Sequence, residues 1–230
     1  MIYVTGDTHG SPARLSRETM PFADRWTKRD TLIVCGDFGY LFSGGSREEL
    51  ALRELSFRPY TIAFVDGNHE NYHLLDNYQP VKWRGGLARR IRRNVYHLMR
   101  GQVFEMEGNT IFTMGGGFSI DRARRYEGVD WWPCELPSQS EYQTARENLL
   151  QYGRDVDYII THAAPEDIMQ QIFGDHEGEK ELNQFFQWVM ENVTYKRWFF
   201  GHLHMDAPLD HNLYAMFLSV RELATGSIVW

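Results

Sequence analysis

Two pairs of residues frame the chain. Asp7 and His9 stand one residue apart near its start, and His202 and His204 repeat that spacing near its end. Between them Asp37, Asn68 and His162 occur singly, each just beyond a short apolar run. Together they offer two carboxylates, one amide carbonyl and four imidazoles. Imidazole is the commonest metal-ligating side chain, through a neutral ring nitrogen. A mixed nitrogen and oxygen set without thiolate suits borderline divalent ions rather than a structural zinc site. The set also exceeds what one ion needs. A carboxylate shared by two ions would hold them about 3.5–4 Å apart, the separation of two-metal phosphoryl-transfer sites. The alternative, a structural role for every one of these groups, would bury many polar side chains without a compensating ion, at a heavy desolvation cost. Taken singly, His73, His97, His176 and His211 are expected on the surface or in packing.

Something must carry these groups to one place. A pattern recurs along the chain: an apolar run ends in Gly, Asp, Asn or His. Ile2 to Val4, Leu32 to Cys35, Ile62 to Val65, Ile111 to Met114, Tyr158 to Ile160 and Trp198 to Phe200 all behave so. Continuous apolar runs read as strands buried on both faces, and functional groups of α/β proteins gather beyond the carboxyl ends of such strands. After Phe200, Gly201 is read as the residue that lets the backbone turn sharply. Helices are expected over Pro12–Trp26, Arg47–Phe57, Ser138–Tyr152, Pro165–Phe173 and Glu179–Glu191, the third opened by a Ser138–Glu141 capping box. Short strands are expected at Leu213–Leu218 and Ser227–Trp230. Glu70 reads equally as an orienter of an imidazole and as a cap on the following helix.

The 230 residues suffice for a well-buried core and read as a single domain, 1–230. The formal charge of −7 argues against nonspecific nucleic-acid binding by the whole surface. Cys35 and Cys134 suggest no disulfide framework, and Cys35 reads as a buried thiol. No apolar stretch approaches membrane-spanning length and no signal segment opens the chain, so the expectation is a cytoplasmic protein without a membrane partner.

The ordered series Gly6-Asp7-Thr8-His9-Gly10, Gly36-Asp37, Gly67-Asn68-His69-Glu70, Thr161-His162 and Gly201-His202-Leu203-His204 resembles the five motifs of the calcineurin-like metallophosphoesterases, and the resemblance runs from Asp7 to His204. It implies an α/β fold of four layers, α-β-β-α, with two packed mixed sheets flanked by helices. It implies that Asp7, His9, Asp37 and His204 hold one metal ion, and that Asp37, Asn68, His162 and His202 hold the second. Manganese is the first expectation, with iron, zinc, nickel or cobalt as alternatives. It implies a metal-dependent phosphoric ester hydrolase in which hydroxide bridging the two ions attacks phosphorus, and in which His69 protonates the leaving group.

The chain departs from the phosphoprotein phosphatase branch of that family. Tyr40 and Leu41 stand where an acid and an arginine belong, and no arginine follows Glu70 at the corresponding place. The expected substrate is therefore a small or nucleotide-like phosphoester, monoester or diester. A serine/threonine phosphoprotein phosphatase, a nuclease and a non-catalytic scaffold are the alternatives. Substrate contacts are expected from the loop 115–137. Its Arg122, Arg124 and Arg125 could bind phosphate, and its Trp131 and Trp132 could stack on a flat group or else pack on the core. Finally, Lys82 to Arg100 holds seven Lys or Arg residues and no acid. That run reads as a landing strip for a polyanion such as nucleic acid, or as a face whose charges pair with the chain's excess of acids, and the negative total favours the second.

Overall fold

The computed structural model describes residues 1–174 and 177–230, so His176 lies outside the described residues. The strands are β1 Ile2–Thr5, β2 Thr31–Val34, β3 Thr61–Phe64, β4 Pro80–Trp83, β5 Gly86–Arg92, β6 Val95–Leu98, β7 Gln102–Met106, β8 Asn109–Met114, β9 Tyr158–Thr161, β10 Arg197–Phe200, β11 Ala207–Pro208, β12 Leu213–Ala215 and β13 Arg221–Glu222. The helices are α1 Ser46–Ser56, α2 Tyr72–Asp76, α3 Gln139–Gln151, α4 Glu166–Phe173 and α5 Lys180–Asn192.

The strands form two mixed sheets, ordered β13-β1-β2-β3-β6-β5-β4 and β11-β12-β10-β9-β8-β7. The inner strands of both run parallel, so β1, β2, β3, β8, β9 and β10 all end at one edge. Side-chain alternation explains the layering, because successive residues of a strand face opposite sides. Ile2, Val4, Ile33, Ala63 and Val65 turn inward to meet Ile111, Tyr158, Ile160 and Phe199 of the other sheet. Tyr3, Leu32, Val34, Ile62 and Phe64 turn outward onto Leu52 and Leu55 of α1. Ile159, Trp198 and Phe200 turn outward onto α3, α4 and α5. Both faces of the inner strands are dry, so those strands read as unbroken apolar runs. The four expected layers are present.

Three expectations need correction. Pro12–Trp26 is a chain of turns closed by a short 3-10 segment, Pro21–Arg25, and not an α-helix. Ser16 and Thr19 bond the local backbone in place of a helical ladder, and Arg14 turns inward. Leu213–Leu218 is a strand only as far as Ala215, because the N–H groups of Phe217, Leu218 and Ser219 donate to the Asp206 carboxylate. Ser227–Trp230 makes only an isolated bridge, Ile228 with Arg221. The Ser138 capping box is formed as expected. Among the described residues no helix is long and apolar enough to cross a membrane.

Candidate metal centre

The strand-end loops after β1, β2, β3, β9 and β10 meet in one place. Ligand atoms of Asp7, His9, Asp37 and His204 all lie within 4.8 Å of one another. The Nε2 atoms of His9 and His204 are 2.9 Å apart. Beside them, His162 Nε2 is 3.4 Å from Asp37 Oδ1 and 3.2 Å from Asn68 Oδ1, and the His162 and His202 rings are 4.7 Å apart. The seven residues thus fall into two halves that share Asp37.

The local backbone is bent to achieve this. His9, Asp37, His202 and His204 all have positive φ, between 47° and 68°. Non-glycine residues rarely adopt that region, and such strain gathers at functional sites. Contacts between loops hold the bends. Asp37 O accepts from His9 N–H at 2.8 Å and Phe38 O from Gly10 N–H at 2.9 Å. Glu70 is fully buried and neither orients an imidazole nor caps α2. Its carboxylate accepts from Gly39 N–H at 2.9 Å and from Gly67 N–H at 2.5 Å, binding the loop of Asp37 to the loop of Asn68. Asn71 caps α2 instead. Gly201 is not the sharp turn that its sequence position suggests, since His202 takes the positive φ. A Cβ at Gly201 would lie 2.3 Å from Cys35 O and 2.7 Å from Asp7 Oδ2, so closeness to the ligands demands the glycine.

Electrostatics fit a cation here. Burial, and then the neighbouring Asp37, push the Asp7 carboxyl well up. Burial raises Asp37 to about 6. Burial and His204 pull His9 down to about 4, while burial and His202 pull His162 well down. Carboxyls reluctant to ionise beside imidazoles reluctant to protonate form a donor set that positive charge would relieve on the acids and that leaves ring lone pairs available. His162 Nδ1 sits 2.9 Å from Cys35 O, and a proton there leaves Nε2 to ligate. His202 differs. Burial alone would lower it, but Glu179, Asp37 and Asp7 hold it up at about 9. Glu179 Oε2 lies 3.3 Å from His202 Nε2 and accepts from Phe118 N–H at 3.0 Å. Glu179 is a site residue that sequence reasoning missed. Its signal, an acid opening α5, is common to most helices.

A cavity of about 500 Å³ opens over Asp37, Asn68, His69, His202 and His204. Of the loop residues expected to meet substrate, Arg125 lines it. Arg125 Nε is 2.8 Å from Asp121 Oδ1, and Nη2 is 3.4 Å from His69 Nε2. Arg122 lies outside the cavity, its guanidinium 4.1 Å from the Phe118 ring centre and 5.4 Å from that of Trp131. Arg124 is exposed and away from the lining, and Trp131 is half-buried, also off it. Trp132 is 1% exposed and belongs to the core beside Phe42 and Tyr72, donating to His73 Nδ1 at 3.3 Å. It is not placed to stack on a ligand, because burying its large ring anchors the loop. Tyr40 and Leu41 are core residues too, Tyr40 donating to Ser11 O at 2.6 Å. Burial, His9 and Arg125 pull His69 down to about 4.

The basic run forms β4, β5 and β6. Arg89 pairs with Asp76 at 2.6 Å, Arg92 with Glu49, and Arg100 is buried 2.6 Å from Asp66. No residue of the run lines the cavity. The Asp66 network is a second feature that sequence did not reveal. Asp66 accepts from His97 Nε2, Arg100 Nε and Tyr72 Oη at 2.9, 2.7 and 3.1 Å. Arg100 also donates to Glu135 O, and Glu135 in turn holds Ser119. The network ties the end of β3 to the loop 115–137.

The family model for calcineurin-like phosphoesterases matches residues 1–206, and the chain belongs to that family. Its members are generally dinuclear metal hydrolases of phosphoesters. No curated protein matches the chain. Among solved structures, TT1561 of Thermus thermophilus is 14% identical, with 99% of this chain and 96% of that one covered and a TM-score of 0.53, a likeness of fold. Sulfate thiohydrolase SoxB of T. thermophilus, crystallised with glycerol, is 11% identical over 97% of this chain and 42% of that one, TM-score 0.45. A protein of unknown function from Aquifex aeolicus, AQ665, is 18% identical over 80% of this chain and 92% of that one, TM-score 0.33.

Proposed function

We propose that the protein hydrolyses a small or nucleotide-like phosphoester. The observation that carries this reading is the meeting of Asp7, His9, Asp37 and His204 within 4.8 Å, with His69 and Arg125 on the cavity above. Asp7, His9, Asp37 and His204 would hold one divalent ion, and Asp37, Asn68, His162 and His202 the other, manganese being the first choice. Such ions supply a nucleophile near neutral pH and offset charge on the phosphoryl oxygens.

The chain's own groups do the rest. Glu179 aims His202 by holding its Nε2. His162 is locked by Cys35 O. Arg125 takes the part of the arginine missing after Asp37: it meets the phosphoryl group with charge-assisted hydrogen bonds, and Asp121 keeps its fork directed into the cavity. As Arg125 turns to the phosphate it leaves His69 Nε2. The arriving negative charge then raises His69 from about 4 toward the range in which it can give a proton to the departing oxygen. A phosphoprotein substrate is disfavoured because Tyr40 and Leu41 stand where the phosphoprotein phosphatase branch carries an acid and an arginine. The nucleic-acid reading gains no support from a basic run that stays off the cavity.

The test is a screen of aryl phosphate and bis-aryl phosphate with the protein loaded in turn with Mn²⁺, Fe²⁺, Zn²⁺, Ni²⁺ and Co²⁺. Turnover of either substrate, abolished by chelator, is expected. No turnover with any metal would overturn the proposal in favour of a non-catalytic binding role.

A further inference from the structure

The cavity is larger than a phosphate requires. About 500 Å³ falls in the range that encloses a drug-sized ligand. Its lining is divided by chemistry. It includes the donor groups and Arg125 on the one hand, and the apolar Phe118, Ile120, Met169, Phe173 and Leu203 on the other. Met169 and Phe173 are four residues apart on α4, hence on one face of that helix. Leu203 is set into the wall by the bends at His202 and His204 on either side of it. Phe118 is pinned between its N–H bond to Glu179 and the guanidinium of Arg122. Among the described residues, the remaining polar one of the lining, Asp121, is paired with Arg125.

Ile120 and Phe173 are 84% and 57% exposed. Single exposed apolar residues are ordinary, but these two border a concave wall that continues into the metal centre. A polyol or sugar placed there would lose water from its hydroxyls without gaining partners among the described residues, an unfavourable exchange. An apolar group would gain by burial.

Resting on the phosphoester reading and narrowing it from nucleotide-like to small apolar esters, we propose that the substrate carries an apolar substituent of one or two aromatic rings' size, seated against Phe118, Ile120, Met169, Phe173 and Leu203. The phosphoryl group points to Arg125 and the metal-ligating residues. The apolar residues select the substrate, while the donors are indifferent to what the phosphate bears.

Calorimetric titration of manganese-loaded protein with methyl-, phenyl- and 1-naphthylphosphonate, which are not hydrolysed, tests the wall directly. Affinity should rise at least about tenfold from methyl to naphthyl. Ile120→Asp and Phe173→Asp, at exposed positions that folding does not depend on, should shrink that ratio severalfold. Equal affinities for the three ligands, or an unchanged ratio in both variants, would overturn the proposal while leaving phosphoester hydrolysis standing. Binding of none of them, together with no turnover of any aryl phosphate, would overturn both.

Discussion

Replacing Asp37 by Asn should make the metal-free protein more stable, and bound metal should largely cancel that advantage. Asp37 is fully buried, and burial raises its carboxyl from 3.8 to about 6. A raised carboxyl favours the folded state while it stays protonated, and that advantage is lost as pH rises through the folded value. At pH 7.5 the ionised group therefore costs about 3 kcal/mol relative to acid conditions. At pH 5 the folded carboxyl is still protonated while the unfolded one is not, and the cost is about half as large. Asn cannot ionise. Its Oδ1 can still accept from His69 N–H, the bond Asp37 makes at 2.8 Å. It also tolerates the φ of 48° found at this position. Removing the charge further relieves Asp7, which Asp37 helps to hold up. Urea unfolding in chelator at pH 7.5 should show Asp37→Asn more stable by up to about 3 kcal/mol, and by about half that at pH 5. With manganese present at about a hundred times its dissociation constant, the wild type gains about 2.7 kcal/mol by linkage and the variant much less. A variant less stable than wild type in chelator at pH 7.5, or a difference that does not vary with pH, would refute the reasoning.

Other perturbations follow from the same contacts. Arg125→Ala removes the charged donors facing the phosphoryl position and should lower kcat/KM on an aryl phosphate about 10- to 100-fold, with metal content by elemental analysis preserved. His202, held at about 9 chiefly by Glu179 against the effect of burial, contributes stability below about 6.5 that is lost as pH rises through 9, and it must shed its proton to ligate. Affinity for the second manganese, read by calorimetry, should therefore rise up to about tenfold per pH unit between 7 and 9, and Glu179→Gln should flatten that slope. Arg100→Met leaves Asp66 buried without its strongest partner and should cost about 3–5 kcal/mol in urea unfolding. Burial alone would raise Asp66, but Arg100 and His97 hold it well below the usual carboxylate range. Its contribution is present above about 3.8 and lost as pH falls through the folded value, so the wild-type advantage over the variant should shrink in strong acid.

The strands β1, β2, β3, β8, β9 and β10 and the candidate metal donors were legible because each is a local pattern, whereas β4 to β7 were not anticipated. A strand dry on both faces must be an apolar run, and a polar residue at its end stands out. The family motifs add order to what are separately weak signals. The failures have local causes too. The Pro12–Trp26 helix reading gave Arg14 no part in the fold. Instead Arg14 donates to the carbonyls of Asp7, Gly6 and Phe217. The basic run looked like a surface for polyanions because its counter-charges, Glu49, Asp66 and Asp76, lie elsewhere in the sequence.

By itself the sequence determined the edge where strands end and the seven candidate donors placed there, since these follow from side-chain type and position along a strand, while the four layers were implied by the family resemblance. Only the tertiary structure decided which loop groups face the donors. Trp131 and Trp132 are neighbours of one chemistry, yet Trp132 is in the core and Trp131 is not. Arg122, Arg124 and Arg125 are equally basic, and only Arg125 turns into the cavity. Such choices depend on contacts across the fold, as between Asp121, Arg125 and His69 or between Glu179 and His202, and no local pattern encodes the distance between residues that are far apart in the chain.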